Sequence, residues 1–373
     1  MHLGILTRSL PPHMCGLGGH SVCLANALRA LEHDVLIIAG RGASGVGIRI
    51  IGDEWTRAAL ERLRQSLESS SLDHLVLQYT PAAFSEGDWR VCQAIADFWR
   101  MVGARVPTSL IVHETYFRSW RHPPSLVRGT WQKSVLGTLA KASGYVFSAS
   151  APLVEEMLGW GLMRPPVRLP IGSNIDVAPA DRAILCRSYG LSEEDIVLTL
   201  FGCGKNLERM PRHFRIVESR LQESRIAHTW LLLGGVPREL LSPRARVLSP
   251  GWLSFEALSA HLRMSDIFLM PHFGGIGAKR GTLMSAMAHG LPVVGTRGVM
   301  TDPFWSDVPA VALFDEKAEE DFTEGVLALC RDGGLRQSMG SQNADYFRAN
   351  LTWPTIAAKF LNAIRTEREN NVH

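Results

Sequence analysis

The chain has 373 residues, 46% hydrophobic and 20% charged, with a formal net charge of +3. At ~100–200 residues per domain this length suggests two domains or three. The apolar content excludes disorder as the main state, and the scattered 34 Gly and 20 Pro exclude collagen-like and low-complexity classes. The charge balance carries no strong bias toward nucleic acid or membrane.

Short apolar runs alternate with helical patterns from the first residue onward. Residues 2–7 read as a strand, followed by a glycine-rich loop, a helix over about 19–31 and a strand over 35–39. Further strands are expected at 74–78, 109–113, 144–148 and 167–169, with helices between them, notably 56–69 and 89–102. The pattern then restarts. Strands are expected at 197–202, 229–234, 246–248, 266–270, 292–295 and 310–313, and helices at 211–223, 254–264, 281–289, 317–331 and 334–348. The last helix, 354–369, follows Trp353-Pro354. Strands that are apolar throughout, separated by helices, indicate parallel sheets covered on both faces. The loop-forming stretch near 172–190 marks the boundary between two such α/β units.

The six cysteines, Cys15, Cys23, Cys92, Cys186, Cys203 and Cys330, fit no zinc or redox spacing. Dispersed thiols in a chain of this length indicate a reduced, cytoplasmic protein. The N-terminus lacks the features of a signal peptide, and no apolar run approaches the ~20 residues that span a bilayer.

In doubly wound sheets ligands sit beyond the carboxyl ends of the strands, so two such sheets are expected to face one another across a cleft. Four groups of loop residues stand out there. Gly16, Gly18 and Gly19 lie between a strand and a helix start, which suits an anion or simply a tight turn. Gln78, Tyr79, His113 and Glu114 end two strands. His113 is either a packed structural residue or a catalytic or substrate-orienting one, and Gln78 and Tyr79 either bind polar substrate groups or cap the sheet. Lys205 and Arg209 follow the first strand of the second half, where they reach an anion or are solvated loop residues. The most informative stretch is 270–296: after Met270 a glycine-rich loop carries Lys279 and Arg280, and Gly281 and Thr282 then open a helix of small residues. Paired cations beside a helix N-terminus form a site for a phosphate group.

Residues 101–150 hold six basic residues against Glu114 alone, with Trp120 and Trp131 between them. Such a segment is a solvated face over buried tryptophans, or a contact for an acidic acceptor, a membrane surface or a nucleic acid.

The sequence resembles GT-B glycosyltransferases, and within that fold glycosyltransferase family 4, over nearly the whole chain. The resemblance rests on GLGGHSVCLANALRALEHDVLIIAG at the N-terminus, VRLPIGSNID before the second half, VLSPGWLSFEALSAHLRMSDIFLMPH, the closing TWPTIAAKFLNAI and, most specifically, SAMAHGLPVVGT. It implies an α/β protein of two doubly wound Rossmann-like domains: an acceptor domain over 1–175, a donor domain over 176–353, and a last helix over 354–373 packing back on the first. It also implies a retaining, metal-independent transfer from a UDP- or GDP-linked sugar to a glycan, lipid-linked or natural-product acceptor, with no cofactor beyond that co-substrate. The location it implies is cytoplasmic, including the inner membrane face. By the same resemblance, Gly18 and Gly19 match the diglycine near the donor diphosphate, and His113 matches a histidine near the transferred sugar. Gly281, Thr282 and Leu283 fall where amides meet phosphate and ribose. The acceptor would enter near 79–86 and 114–133, against Gln78, Tyr79, Glu114 and Tyr116.

The chain departs from the family in its donor motif. The two glutamates usual around the loop are Gly277 and Ser285, of which Ser285 is a weak substitute for holding ribose. The usual Arg and Lys after the first strand of the second domain are Cys203 and Arg209, with Lys205 and Arg280 placed to restore the missing cation. Expected roles are therefore His113 and Arg280 at the reacting centre, and Lys205, Arg209, Lys279 and the amides of Gly281 and Thr282 on the diphosphate. The lost carboxylates leave a non-catalytic GT-B scaffold as an alternative, and the basic 101–150 segment leaves an enzyme glycosylating nucleic acid.

Overall fold

The computed structural model describes residues 1–10, 13, 16–52, 55–68, 70–81, 89–116, 123–192, 194–202, 207–308 and 310–365. These form two compact units, one of Met1–Ile171 with Trp353 onward, the other of Gly172–Thr352.

The first unit is built on a seven-stranded parallel sheet in the order β3-β2-β1-β4-β5-β6-β7. Its strands are β1 (His2–Ser9), β2 (Asp34–Arg41), β3 (Ile48–Ile50), β4 (His74–Tyr79), β5 (Thr108–Val112), β6 (Tyr145–Ser148) and β7 (Val167–Arg168). Helices α1 (Gly16–Ala30), α2 (Arg57–Glu68), α3 (Trp89–Gly103), α4 (Pro123–Lys141) and α5 (Ala151–Leu158) connect them. The second unit carries a six-stranded parallel sheet in the order β10-β9-β8-β11-β12-β13. Its strands are β8 (Ile196–Gly202), β9 (His228–Gly234), β10 (Val247–Leu248), β11 (Ile267–Met270), β12 (Val293–Arg297) and β13 (Val311–Asp315). Its helices are α6 (Arg182–Ser188), α7 (Pro211–Glu223), α8 (Phe255–Met264), α9 (Gly281–Ala288), α10 (Glu319–Arg331) and α11 (Gly333–Asn350). The α/β class and the paired parallel sheets agree with the sequence expectation.

Period-2 burial on both faces explains the unbroken apolar strands. In the first unit Leu6, Leu77, Leu110 and Val146 face the core under α2, α3 and α4. Ile5, Val76, Ile111 and Phe147 face the opposite layer, made by α1 and the last helix, α12 (Trp353–Arg365). Ile356 and Phe360 of α12 are fully buried there, and Tyr145 Oη donates to the Ile364 carbonyl at 3.3 Å. The second core gathers Leu198, Leu200, Phe214, Trp230, Leu232 and Phe322.

In each unit the chain runs outward from a central strand, then returns to that strand's other side. The order reverses between β1 and β4, and again between β8 and β11. Adjacent loops part at such a point, leaving room for a ligand beyond the strand ends. Among the described residues no helix is long and apolar enough to cross a membrane. Part of the basic 101–150 segment is turned to structural use: Trp131 packs on the core, Lys133 Nζ stands 5.6 Å from the Tyr116 ring centroid, and Arg105 pairs with Glu68. Trp120 lies outside the described residues.

Candidate functional site

In the first unit the loops after β1, β4 and β5 meet α1. A Cβ on Gly18 would sit 2.1 Å from the Ser9 carbonyl oxygen, so only glycine lets α1 approach the end of β1 this closely. Gly19 follows, half-buried. His113 continues the ladder past β5, its amide donating to the Tyr79 carbonyl at 3.0 Å. Its Nε2 lies 2.7 Å from Gln78 Oε1, and its ring meets that of His20 edge-on at 4.7 Å between centroids.

The residues named for an acceptor divide. Gln78 is fully buried and Tyr79 nearly so, which leaves their side chains little surface to offer. Glu114 is exposed, and Tyr116 is half-buried with its hydroxyl donating to Glu156 at 2.5 Å.

In the second unit the loop from β11 to α9 is held from several sides. Ala278 N donates to Asp302 Oδ2 at 2.6 Å, Gly274 N donates to Glu316, and Met300 N donates to the Gly274 carbonyl at 2.7 Å. Gly275 has φ +85°, and a Cβ there would stand 2.1 Å from Thr301 Oγ1 and 2.2 Å from Gly298 N. Both the conformation and the space therefore require glycine. Two buried or half-buried carboxylates thus fix the loop's backbone, while Lys279 and Arg280 sit half-buried at its end. Arg280 is the N-cap of α9, and its carbonyl accepts from Leu283 N at 3.0 Å and Met284 N at 3.2 Å. The amides of Gly281 and Thr282 precede the first intrahelical bonds, so they and the helix dipole favour an anion.

Arg209 reaches the same loop from the other side of the β8/β11 reversal. Its guanidinium carbon lies 3.5 Å from the ring centroid of Phe273. Lys205 and Cys203 lie outside the described residues. Leu283 is fully buried, so only its backbone is on offer. Ser285 is 2% exposed, with its hydroxyl bonded to the Gly281 carbonyl at 3.0 Å and to Ser173 at 2.9 Å. Gly277 is buried and brings no side chain.

The field of the two cations is visible at His272, the second residue after β11. Burial first, then Arg280 and more weakly Lys279, push its imidazole down to about 4, partly opposed by backbone contacts to Phe273 and Gly275. The structure thus brings Arg209, Lys279, Arg280, Gly281 and Thr282 around one loop of the second unit, and Gly18, Gly19, Gln78, Tyr79 and His113 around one sheet edge of the first. Sequence reasoning missed His20, Phe273, Asp302 and Glu316. The glycine-histidine step at 19–20 was a usable signal for the first of these. Asp302 and Glu316 reach the loop only through the fold.

Residues 200–332 match the model of the family described as Glycosyl transferases group 1. By sequence, no curated protein matches the chain. Among solved structures it is similar to the sucrose-phosphate synthase of Thermosynechococcus elongatus, with a TM-score of 0.72 and 13% identity over 99% of this chain and 100% of that one. It is also similar to WaaG, a glycosyltransferase involved in lipopolysaccharide biosynthesis, at TM-score 0.70 and 13% identity over 98% and 100%. Anabaena Alr3699/HepE, solved in complex with UDP and glucose, gives TM-score 0.70 and 13% identity over 98% and 100%. At such identities the structures establish the fold, and the family match is confined to residues 200–332. The chain thus has the GT-B fold, and residues 200–332 of its second unit are similar to group 1 glycosyl transferases.

Proposed function

We propose that the enzyme moves a glycosyl group, with retention at the anomeric carbon, from a UDP- or GDP-linked sugar to a hydroxyl of a glycan, lipid-linked or natural-product acceptor. The observation that carries this is the β11–α9 loop. Two cations and the opening amides of a helix converge there, and Arg209 is stacked on Phe273 of the same loop.

As the bond from the anomeric carbon to the diphosphate breaks, negative charge grows on the phosphate oxygens. Arg209, Lys279, Arg280 and the Gly281 and Thr282 amides stabilise it, an electrostatic effect that is larger in the transition state than in the bound donor. The acceptor oxygen bonds to the anomeric carbon, and its proton passes to the departing diphosphate. His113 orients the transferred sugar. Lys205 adds a further cation. Ser285, turned inward to Gly281 and Ser173, is a poor holder of ribose, so the role of the missing glutamates falls on neighbouring backbone.

The test is calorimetric titration with UDP and GDP, beside a donor screen read by mass spectrometry. One nucleoside diphosphate should bind. Arg280→Ala should weaken it by roughly 10–150-fold, the equivalent of ~1.5–3 kcal/mol for a charge-assisted contact. Binding unchanged in that variant, or no binding of either nucleotide, refutes the site. Binding with no turnover of any donor favours the non-catalytic scaffold, consistent with Gly277 and Ser285 at the two carboxylate positions.

A further inference from the structure

Thr7, Gln78 and His113 each stand two residues beyond Ile5, Val76 and Ile111, the row that faces the α1–α12 layer. They close an apolar core with a polar edge. Thr7 and Gln78 are fully buried, and His20 of α1 is 4% exposed. His20 lies edge-on to His113 at 84° and edge-on to Trp353, the first residue of α12, at 81° and 4.9 Å. Neither ring nitrogen of His20 has a hydrogen-bond partner. Burial foremost, then His113, hold its pKa well below the usual value, so the ring beside His113 is neutral.

Gln78 Oε1 stands 2.7 Å from His113 Nε2. An amide oxygen only accepts, so with the Gln78 amide in this orientation, its Nε2 buried without a partner, the hydrogen of a neutral His113 resides on Nε2 and the lone pair on Nδ1. Which nitrogen of a neutral imidazole carries the proton is set by the hydrogen bonds its two nitrogens make.

We propose that Gln78 and His20 are positioning residues for His113: the Gln78 amide oxygen fixes the proton on Nε2, and His20, braced by Trp353, holds the ring plane. This rests on the reading of His113 as the residue that orients the transferred sugar. It takes Gln78 from the acceptor surface to a place behind the reacting group, in keeping with its full burial. A sugar-orienting imidazole that could turn over, or exchange its proton between nitrogens, would present a donor where an acceptor is required.

The experiment is heteronuclear NMR of the ring nitrogens at about pH 9, where imidazoles are neutral. In the wild type the ratio of the Nε2–H to the Nδ1–H form of His113 should exceed that in Gln78→Met by about fivefold, the worth of one net hydrogen bond. Gln78→Glu, which keeps an acceptor, should restore the wild-type preference. His20→Ala should let the His113 ring average between orientations, and His20→Phe, which keeps an edge-on ring, should not. With the donor identified, Gln78→Met should lower kcat at least about fivefold while leaving donor KM within about twofold.

A wild-type hydrogen on Nδ1, an unchanged ratio in Gln78→Met, or an unchanged kcat in the face of a changed ratio each overturns the proposal. Should the wild type turn over no donor at all, the proposed function falls, while the ring-nitrogen measurement still decides the pairing.

Discussion

Lowering the pH from 7 to 4.5 should weaken the second unit through one buried imidazole. His272 is 7% exposed, and its side-chain nitrogens have no hydrogen-bond partner. Its backbone is clamped, its amide donating to Thr296 Oγ1 at 2.7 Å and its carbonyl accepting from the same hydroxyl at 2.8 Å. The folded pKa of about 4 lies below the ordinary 6.5. The native state therefore keeps this contribution in full above pH 6.5 and loses it as the pH falls from 6.5 toward 4, because the unfolded chain gains a proton that the native one refuses. At pH 4.5 two of those units have been crossed. At ~1.36 kcal/mol per unit the loss is about 3 kcal/mol, a large part of a domain's stability.

Urea unfolding of the wild type and His272→Asn at the two pH values isolates the effect. Whatever the variant costs at pH 7, its stability relative to the wild type should rise by about 3 kcal/mol at pH 4.5. His20, His213 and His289, whose pKa values burial also lowers, cancel in this difference. In NMR the His272 ring should titrate with a midpoint of about 4, and Arg280→Gln should raise it, since Arg280 is the largest charged contributor. A midpoint near 6.5, or a stability difference independent of pH, would refute the reasoning.

Gly275→Ala should cost at least about 3 kcal/mol, since strained backbone adds to a collision with Thr301 and the Gly298 amide, and a shift in urea midpoint measures it. A change within roughly 0.5 kcal/mol, the range of surface substitutions, would mean that the loop path is wrong. Phe273→Ala, at a ring 45% exposed, should leave stability almost unchanged but weaken nucleoside diphosphate binding about two- to fivefold, by releasing the Arg209 guanidinium stacked on it. Phe273→Trp should preserve that affinity; if alanine and tryptophan variants bind alike in calorimetry, the stacking has no part in placing Arg209.

Much of the architecture was legible without coordinates. Runs such as VLIIA, HLVLQ and VLTLFG are apolar on both faces, which only a strand covered on both sides accommodates, and the helical patterns between them leave a parallel sheet as the solution. The glycines at 18 and 275 and the cations at 279 and 280 were also visible as a class of loop, because local backbone freedom and local charge are properties of neighbours in sequence. The three-residue strand Ile48–Ile50 was not, since so short a run carries no period.

What only the tertiary structure decided are the encounters between distant segments. Gln78 and Tyr79 look like surface contacts at a strand end until Gln78 is found fully buried on the α1–α12 side and Tyr79 in the opposite core under α2, α3 and α4. His20 and Trp353 touch across 333 residues, and Asp302 and Glu316 hold the β11–α9 loop from the far side of β12. Ser285 reads as a surrogate for a ribose-holding carboxylate until Ser173 is found against it. Periodicity and composition report which face of an element is buried. They are silent on which other element does the burying, because pairing is settled by the packing of the whole sheet rather than by any one stretch of chain.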